Sequence, residues 1–463
     1  MVADRMAEAS SLSSMPRPII AIVGRPNVGK STLFNRLVGR RRSLVHDVAG
    51  VTRDRLYGTV VFERWQATVV DTGGFEPRPT SDLVAGVRSQ VMMAIDEADL
   101  IIFVVDARTG LTPLDEEIAA VLRKSRHPVL VAVNKVDAAA QEIALAECYR
   151  LGFTPVLGVS AEHGRGVAEL LEAARALVPA LPAEPAGEGT RVAIIGRPNV
   201  GKSSLVNAVL GHDRVLVHEQ PGTTRDAVDT PLTFRDRTYL LIDTAGIRRK
   251  GRVSEALEKL AVVMALKGLE RCQVAVLVLD AADGVTAQDA HIAGYADKAG
   301  RALVVAVNKW DLVPPGMVQK ADVVGQIYDR LPFLEYAPVC FTSAVKHHGL
   351  NELFDQVDRV MAEAQKRIQP GELLAVLRQA VERRPVSAHG VALRLHSAQH
   401  VGVSPPTFAL RVNLAGELHF SYQRYLVNSL RHTFGFAGSP IRLLFRKVAG
   451  KPRNRRALRR ARR

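Results

Sequence analysis

The chain has 463 residues, which is room for about three domains of ordinary size and argues against a single catalytic unit. Hydrophobic residues make up 47% of it, but no apolar run reaches the ~20 residues that span a bilayer. Because residues 1–18 also lack a signal-peptide core, we expect a cytoplasmic protein. Its three cysteines have no C-x-x-C spacing and no paired histidines, so the sequence indicates neither a disulfide framework nor a zinc site.

Positive charge is concentrated at the end of the sequence. The net charge is +15, and residues 367–463 contain 19 lysines and arginines against three acids, so the rest of the chain is nearly neutral. Residues 451–463 alone have eight basic residues and no acid. Such a region suits a polyanionic partner, because neutralising phosphates releases counterions. For the folded part of the region, an ordinary solvated face is an equally good explanation.

The sequence repeats itself at an offset of 172 residues. GRPNVGKSTLFNRLVG begins at Gly24 and GRPNVGKSSLVNAVLG begins at Gly196. The same offset relates GVTRD at Gly50 to GTTRD at Gly222. Two copies of one domain are therefore predicted. Residues 179–190 between them are rich in proline, glycine and acids, which is typical of an exposed linker.

Short apolar, β-branched runs precede each motif in both copies. PIIAIV and RVAII precede the glycine-rich runs, ATVV and TYLLI precede the DTxG segments, and PVLVAV and ALVVAV precede Asn134 and Asn308. Nearly continuous apolar runs are typical of parallel strands that are buried on both faces. Helical patterns such as DEEIAAVLRKS alternate with them, so the predicted fold class is α/β, with a parallel sheet covered by helices on both faces in each copy.

Each copy contains G-x-x-x-x-G-K-S just after a predicted strand. Glycines let successive backbone N–H groups converge on phosphates at a helix N-terminus. In this pattern the lysine reaches the β- and γ-phosphates and the serine hydroxyl ligates Mg²⁺. The residues expected in these roles are Lys30 and Ser31 in the first copy, and Lys202 and Ser203 in the second.

Acids and threonines downstream suit a metal-bound triphosphate. Asp71 and Asp243 each end an apolar run 41 residues after the lysine, as expected of a carboxylate that holds Mg²⁺. Thr52 and Thr224 each lie 22 residues after the lysine and are suited to close over the metal only when triphosphate is bound. The glycines that end the DTxG segments can offer an N–H to the γ-phosphate; they are Gly74 and Gly246.

Asn-Lys-x-Asp follows a predicted strand in each copy and predicts a guanine site. A carboxylate accepts two hydrogen bonds from N1 and N2 of guanine, whereas adenine would leave that charge unpaired, so GTP is favoured over ATP. Ser-Ala pairs further along are placed to offer backbone N–H groups to the guanine oxygen. These residues are Asn134, Lys135, Asp137, Ser160, Ala161, Asn308, Lys309, Asp311, Ser343 and Ala344. The other expected nucleotide contacts are Gly24, Arg25, Pro26, Asn27, Val28, Gly29, Thr72, Gly73, Phe75, Val136, Gly196, Arg197, Pro198, Asn199, Val200, Gly201, Thr244, Ala245, Ile247 and Trp310.

Both copies resemble the Era-type P-loop GTPases, and two copies with a basic C-terminal region resemble the EngA/Der family of bacterial ribosome-assembly GTPases. The resemblance spans residues 17–448 and includes SYQRYLVNSLRHTFGFAGSPIRLLFRK near the end. It implies two GTPase domains followed by a small α+β KH-like domain, with GTP or GDP and Mg²⁺ bound. It also implies a role in maturation of the large (50S) ribosomal subunit, with rRNA as the partner and a monomeric protein off the ribosome.

The resemblance and the linker composition together set the expected domain boundaries. They are a disordered extension at 1–16, GTPase domain 1 at 17–178, a linker at 179–189, GTPase domain 2 at 190–364, the KH-like domain at 365–448 and a disordered basic tail at 449–463. No convincing basic GXXG loop occurs in the third domain. We therefore expect that domain to dock on rRNA and on the GTPase domains more than to clamp a single strand.

The residue after each DTxG segment is hydrophobic, Phe75 in one copy and Ile247 in the other. Neither side chain can orient a water molecule as the glutamine of many GTPases does, so we expect slow intrinsic hydrolysis. In related GTPases with such a residue, K⁺ held partly by the glycine-loop asparagine supplies the missing charge, and the resemblance implies this role for Asn27 and Asn199. The alternative for each asparagine is to stabilise the loop alone.

Two other classes of protein share some of these motifs. A GTPase that acts on tRNA modification or another RNA substrate is the main alternative, although no separate catalytic module is evident in the sequence. A small-molecule kinase built on a P-loop is the second, and the Asn-Lys-x-Asp motifs and the switch threonines argue against it.

Overall fold

The structure is a computed structural model. It describes residues 17–39, 57–63, 65–72, 98–125, 127–137, 143–178, 189–212, 215–217, 229–242, 265, 268–314, 316, 318–388, 390–414 and 418–447. These residues form two α/β domains and a smaller α+β domain. Within these ranges, every helix is too short or too polar to span a membrane. The predicted extension at 1–16 and the predicted tail at 449–463 lie outside the described residues.

Domain 1 is built on a six-stranded sheet. Its strands are β1 (Ile19–Val23), β2 (Tyr57–Phe62), β3 (Trp65–Asp71), β4 (Leu100–Asp106), β5 (Val129–Asn134) and β6 (Val156–Gly158), in the order β2-β3-β1-β4-β5-β6. Only the β2–β3 hairpin is antiparallel among the described pairs. Its helices are α1 (Lys30–Val38), α2 (Pro113–Leu122), α3 (Ile143–Cys148) and α4 (Val167–Leu177).

Helices cover both faces of this sheet because successive side chains of a strand point to opposite faces. In β4, Ile102 and its alternate neighbours pack in one core with α1 and α4. Phe103 and its alternate neighbours pack in a second core with α2 and α3. All seven residues of β4 are buried, which accounts for the unbroken apolar run LIIFVV before Asp106. The predicted parallel sheet with helices on both faces is confirmed, except that the β2–β3 hairpin at its edge is antiparallel.

Domain 2 repeats this arrangement with one extra edge strand. Its strands are β7 (Thr190–Ile195), β8 (Val215–Val217), β9 (Thr230–Phe234), β10 (Arg237–Ile242), β11 (Val274–Asp280), β12 (Ala302–Asn308) and β13 (Val339–Phe341), in the order β13-β12-β11-β7-β10-β9-β8. Strand β8 pairs with β9 and has no counterpart among the described residues of domain 1. The helices are α5 (Lys202–Leu210), α6 (Ala287–Ala299), α7 (Lys320–Arg330) and α8 (Leu350–Gln365).

The C-terminal domain has two helices on one face of a three-stranded sheet. Its elements are α9 (Pro370–Arg383), the short strands β14 (Ser387–Ala388) and β15 (Val391–Ala392), β16 (Leu395–Gly402), β17 (Thr407–Val412), α10 (Phe420–Phe434) and β18 (Arg442–Lys447). The sheet order is β16-β17-β18, with the last pair parallel. Phe408 and Leu410 of β17 form a core with Leu377 of α9 and Leu430 of α10.

Contacts between domains position the C-terminal domain against domain 2. The N–H of Leu303 donates to the carbonyl of Gly438 at 2.7 Å, and the N–H of Gly438 donates to the carbonyl of Tyr336 at 2.7 Å. The Arg431 guanidinium lies 4.6 Å from the centroid of the Tyr336 ring. Domain 1 meets domain 2 through the hydroxyl of Thr68 on β3, which is 3.1 Å from Oε1 of Glu270.

Candidate functional site

The glycine-rich loops join β1 to α1 and β7 to α5. Gly29 and Gly201 precede these helices with φ angles of 95° and 93°, which a residue with a Cβ adopts only with strain. A Cβ built at either glycine would also collide with the side-chain amide of Asn134 or Asn308. Each loop therefore needs glycine at this position, and each presents the N-terminus of a helix to an anion.

The lysines expected to bind phosphate are held inside the loops by carbonyl groups. Lys30 Nζ donates to the carbonyls of Gly24 at 2.9 Å and Arg25 at 2.8 Å. Lys202 Nζ donates to the carbonyl of Arg197 at 2.7 Å. Burial lowers the pKa of Lys202 to about 8. Both ammonium groups thus lie within the loop that precedes a helix N-terminus, where a bound phosphate would add negative charge beside them.

The asparagines of the Asn-Lys-x-Asp motifs connect loops. Asn134 Nδ2 donates to the carbonyl of Val28 at 2.8 Å, and Asn134 Oδ1 accepts from the N–H of Ala161 at 3.0 Å. Asn308 repeats both bonds, at 3.0 Å to Val200 and 3.2 Å to Ala344. These side chains therefore fix the glycine loop against the Ser-Ala segment. The predicted contact from the Ala161 N–H to a guanine oxygen stays a prediction, and that N–H already donates within the protein.

The motif lysines make ion pairs that the sequence analysis did not include. Lys135 Nζ lies 2.5 Å from Asp106 Oδ2 and donates to the carbonyl of Asn27 at 2.9 Å. Lys309 Nζ lies 2.6 Å from Asp280 Oδ2. The two acids end β4 and β11, so each lysine is fixed beside its glycine loop. The sequence feature that could have predicted these ion pairs is the aspartate that ends the same apolar run in both copies.

The carboxylates expected to recognise guanine differ between the domains. Asp137 Oδ1 accepts from the Ser160 hydroxyl at 2.7 Å, and Asp137 Oδ2 accepts from Arg108 at 2.7 Å. These hydrogen bonds, the one from Ser160 foremost, hold the pKa of Asp137 below its usual value. In domain 2, Asp311 is exposed, and no hydrogen bond or salt bridge from the described residues reaches its carboxylate. Ser343 and Ser160 both accept from the N–H three residues later, at 3.1 and 3.3 Å.

The residues expected to hold Mg²⁺ in domain 1 are close to the glycine loop. Asp71 is buried at the end of β3 and pairs in register with Ile22 of β1, two residues before the loop begins. The next side chain, Thr72, donates its hydroxyl to the carbonyl of Ile22 at 2.6 Å. Ser31 is exposed in the first turn of α1. A carboxylate and a hydroxyl are oxygen ligands of the kind that Mg²⁺ prefers, so this donor set fits the ion.

The asparagines expected near K⁺ have the same conformation in both copies. Asn27 and Asn199 have φ angles of 65° and 66°, in the left-handed region that asparagine tolerates better than most residues. Both are exposed. An exposed amide oxygen is a suitable ligand for an alkali cation. The remaining predicted residues of the switch segments lie outside the described residues; they are Thr52, Gly73, Gly74, Phe75, Thr224, Asp243, Thr244, Ala245, Gly246 and Ile247.

Each glycine loop is also held by a buried acid that the sequence analysis missed. Arg25 Nε donates to Asp115 Oδ2 at 3.1 Å, and Arg197 Nε lies 3.3 Å from Asp289 Oδ2. Both aspartates have no exposed surface and cap helices α2 and α6 through a Thr-x-x-Asp capping box. The sequence features that could have predicted these pairs are an arginine at the second position of both loops and a repeated Thr-x-x-Asp.

Comparison with known proteins shows what each part is similar to. A family model described as 50S ribosome-binding GTPase matches residues 19–135 and 191–309, and one described as KH-domain-like of EngA bacterial GTPase enzymes, C-terminal, matches residues 367–446. These matches confirm the predicted fold class of two P-loop GTPase domains and a KH-like domain.

Relatives align along nearly the whole chain. GTPase Der of Moorella thermoacetica is 49% identical, covering 94% of this chain and 99% of that protein. GTPase Der of Syntrophotalea carbinolica is 47% identical, covering 92% of this chain and 98% of that protein. Among solved structures, the FeoB G-domain from Methanococcus jannaschii is 27% identical and covers 35% of this chain and 99% of that one. The TM-score of that comparison is 0.27.

Proposed function

This chain belongs to the GTPase Der family and is a GTP-hydrolysing enzyme, and from that premise we propose that it is a cytoplasmic switch protein in the assembly of the large (50S) ribosomal subunit. In this proposal the nucleotide state of the two GTPase domains decides whether the protein holds rRNA. The observation that supports the nucleotide part is the duplicated cluster of lysine, asparagine and aspartate around a helix N-terminus.

The proposed binding mode follows from the groups around each loop. Lys30 and Lys202 bind the β- and γ-phosphates, and the loop amides bind the phosphate oxygens between them. Asp137 and Asp311 accept from N1 and N2 of guanine. Asn134 and Asn308 keep the phosphate half and the guanine half of each site at a fixed separation, because each bonds to both loops.

Hydrolysis in this proposal depends on charge near the β–γ bridge. The residues that would hold Mg²⁺ are Ser31, Thr52, Asp71, Ser203, Thr224 and Asp243. When bound, the ion supplies positive charge to the phosphate oxygens. Asn27 and Asn199 would hold K⁺, which supplies charge where other GTPases use an arginine. We expect faster GTP turnover in potassium than in sodium buffer of equal ionic strength, and equal rates would contradict the potassium role.

A basic surface on the KH-like domain supports an rRNA partner. We define the arginine face by Arg383, Arg384, Phe420 and Arg424, all of which are exposed. Phe420 and Arg424 lie four residues apart on α10 and so share one side of it. The Tyr422 hydroxyl donates to the Arg384 carbonyl at 2.9 Å, which holds the end of α9 against α10.

The arginine face has the two properties that phosphate-rich single strands require. Three guanidinium groups can neutralise backbone phosphates. Phe420, 47% exposed, lies 4.3 Å from the His419 ring between centroids, and this aromatic pair can stack with an unpaired base. Unpaired rRNA segments are therefore the favoured partner of this face, which differs from the docking role that the missing basic GXXG loop led us to expect.

The Thr68–Glu270 bond between β3 and domain 2 supports a link between nucleotide state and domain arrangement, because β3 ends at Asp71.

The rRNA proposal is tested by removing the charge of the arginine face. A variant with Arg383→Ala, Arg384→Ala and Arg424→Ala should bind 50S particles more weakly, with a smaller salt dependence. The control removes three exposed cations from domain 1 through Lys124→Ala, Arg150→Ala and Arg175→Ala. Equal 50S binding by the two variants would contradict this interface.

The cellular role is tested by depletion of the protein. We expect 50S particles to fail to mature, seen as a loss of the 50S peak and accumulation of lighter particles in sucrose gradients. Unchanged subunit profiles with altered tRNA modification would instead favour the alternative, a GTPase that acts on tRNA or another RNA.

A further inference from the structure

Two protein donors already occupy the proposed guanine-binding carboxylate of domain 1. One oxygen of Asp137 accepts from the Ser160 hydroxyl and the other from Arg108, each at 2.7 Å. The backbone N–H of Arg108 donates to Asp106 Oδ1 at 2.9 Å, which fixes the start of the Arg108 side chain next to this site. The Arg108 side chain itself is 57% exposed, so it can exchange its partner for water at little cost.

Domain 2 has the same backbone arrangement without the arginine. The N–H of Ala282 donates to Asp280 Oδ1 at 2.9 Å, so Ala282 occupies the position that Arg108 has in domain 1. Its methyl group carries no charge. Within the described part of domain 2, no salt bridge reaches Asp311. The two sites therefore differ in whether a cation neutralises the carboxylate.

We propose that Arg108 competes with guanine for Asp137, so that domain 1 binds guanine nucleotides less tightly and less selectively than its carboxylate alone would allow. The inference rests on the proposed role of Asp137 in guanine recognition. Guanine gains less from a carboxylate that a guanidinium already neutralises, because charge-assisted hydrogen bonds weaken when the charge is compensated. A base that lacks one of the two donors loses less binding free energy in domain 1 than in a site without Arg108, because Arg108 keeps the carboxylate paired.

Hypoxanthine separates this effect from a general loss of structure. It retains the N1 donor of guanine and lacks the N2 amino group, so it leaves one oxygen of the carboxylate without a base partner. In domain 1 Ser160 and Arg108 donate to the two oxygens of Asp137, whereas no described residue of domain 2 donates to the carboxylate of Asp311. The ratio of IDP to GDP dissociation constants should therefore be smaller for domain 1 than for domain 2.

The test measures mant-GDP and mant-IDP binding to the full chain with one domain silenced by Lys30→Ala or Lys202→Ala. With domain 2 silenced, Arg108→Ala should tighten GDP binding about three-fold, as expected for an exposed ion pair, and should raise the IDP/GDP ratio. Arg108→Lys keeps the cation, so its GDP affinity and IDP/GDP ratio should be close to those of the unmodified protein. With domain 1 silenced, Ala282→Arg should weaken GDP binding and lower the ratio.

A matched control removes another arginine from the same aspartate. Arg165 donates to the backbone carbonyl of Asp137 at 3.2 Å, so Arg165→Ala should not raise the IDP/GDP ratio of domain 1. Unchanged or weaker GDP binding by Arg108→Ala, with mant-GDP still bound by both domains, would overturn the inference alone. Failure of both domains to bind mant-GDP in preference to mant-ADP would overturn the proposed guanine site as well.

Discussion

Arg197 in the second glycine loop lies 3.3 Å from Asp289, a carboxylate with no exposed surface. The Asp289 carboxylate also caps α6 through Thr286, so one side chain fixes both the loop and the helix. Its other oxygen, Oδ1, has no hydrogen-bond partner among the described residues. The pair therefore orders the phosphate loop at a cost in desolvation.

We expect Asp289→Ala to destabilise domain 2 by about 2–3 kcal/mol, because it removes the buried one of the two carboxylates beside Arg197 and also removes a helix cap. The measurement is the shift of the domain 2 transition in calorimetry, together with GTP affinity. The control is Asp283→Ala, which removes the outer partner of Arg197, 2.6 Å away and 57% exposed. That change should lower the stability of domain 2 by less than about 1 kcal/mol. Equal losses of stability in the two variants would contradict a stabilising role for the buried Arg197–Asp289 pair.

Gly201→Ala should impair nucleotide binding by domain 2 because of its positive φ and the collision with Asn308. Strain of about 1–3 kcal/mol is expected at such a position. GTP affinity measured with domain 1 silenced tests this. Gly294→Ala is the control, since Gly294 lies within α6 with nothing within 4 Å of an added Cβ. That variant should be neutral or more stable by up to about 1 kcal/mol.

The lowered pKa of Lys202 predicts that GTP binding by domain 2 takes up a proton above pH 8. The folded pKa is about 8, below the ordinary 10.5. Between these values the unfolded chain holds more protons than the folded one, so domain stability rises with pH across this window. GTP favours the charged ammonium, so affinity should fall as pH rises above about 8. Calorimetry at pH 9 in two buffers of different ionisation enthalpy, with Lys30→Ala present, measures the uptake; identical heats would refute it.

The interface between domain 2 and the KH-like domain should loosen when the Tyr336 hydroxyl is removed. That hydroxyl donates to Asp297 Oδ1 at 2.8 Å, and the ring supports Arg431. Tyr336→Phe should destabilise the interface by about 1 kcal/mol and speed amide hydrogen exchange at Leu303 and Gly438. Tyr328→Phe is the control, because its hydroxyl also bonds within domain 2, whereas Arg431 of the C-terminal domain lies over the Tyr336 ring. Equal exchange in both variants would show that the Tyr336 bond does not stabilise the interface.

The sequence predicts the sheets well because unbroken apolar runs and a repeated glycine motif allow few other structures. It predicts individual partners less well. Nothing in Asn-Lys-x-Asp alone indicates that Asn134 bonds to Val28, since that depends on two loops meeting at one sheet edge. Arg108 was missed for the same reason, because it lies 29 residues from Asp137 in sequence.

The charge pattern predicted a polyanionic partner but not the surface that would meet it. Arg383, Arg384 and Arg424 belong to two helices that come together only through tertiary packing. Phe420 would have been assigned to the core from its hydrophobicity alone, and the structure leaves 47% of it exposed. Position in the fold, and not residue type, separates these residues from the buried apolar positions of the same helices.

The alternation of β4 and β11 between two cores limits where the chain can change its length. Adding one residue inside either strand would exchange every later side chain between the two faces, so insertions are tolerated only where the chain leaves the sheet. Both strands have seven residues. The segment from the DTxG aspartate to the aspartate that ends β4 or β11 is two residues longer in domain 2 than in domain 1. The segment from the asparagine of Asn-Lys-x-Asp to the Ser-Ala pair is nine residues longer in domain 2. Insertions among relatives should follow the same rule, so alignments can keep these strands free of gaps.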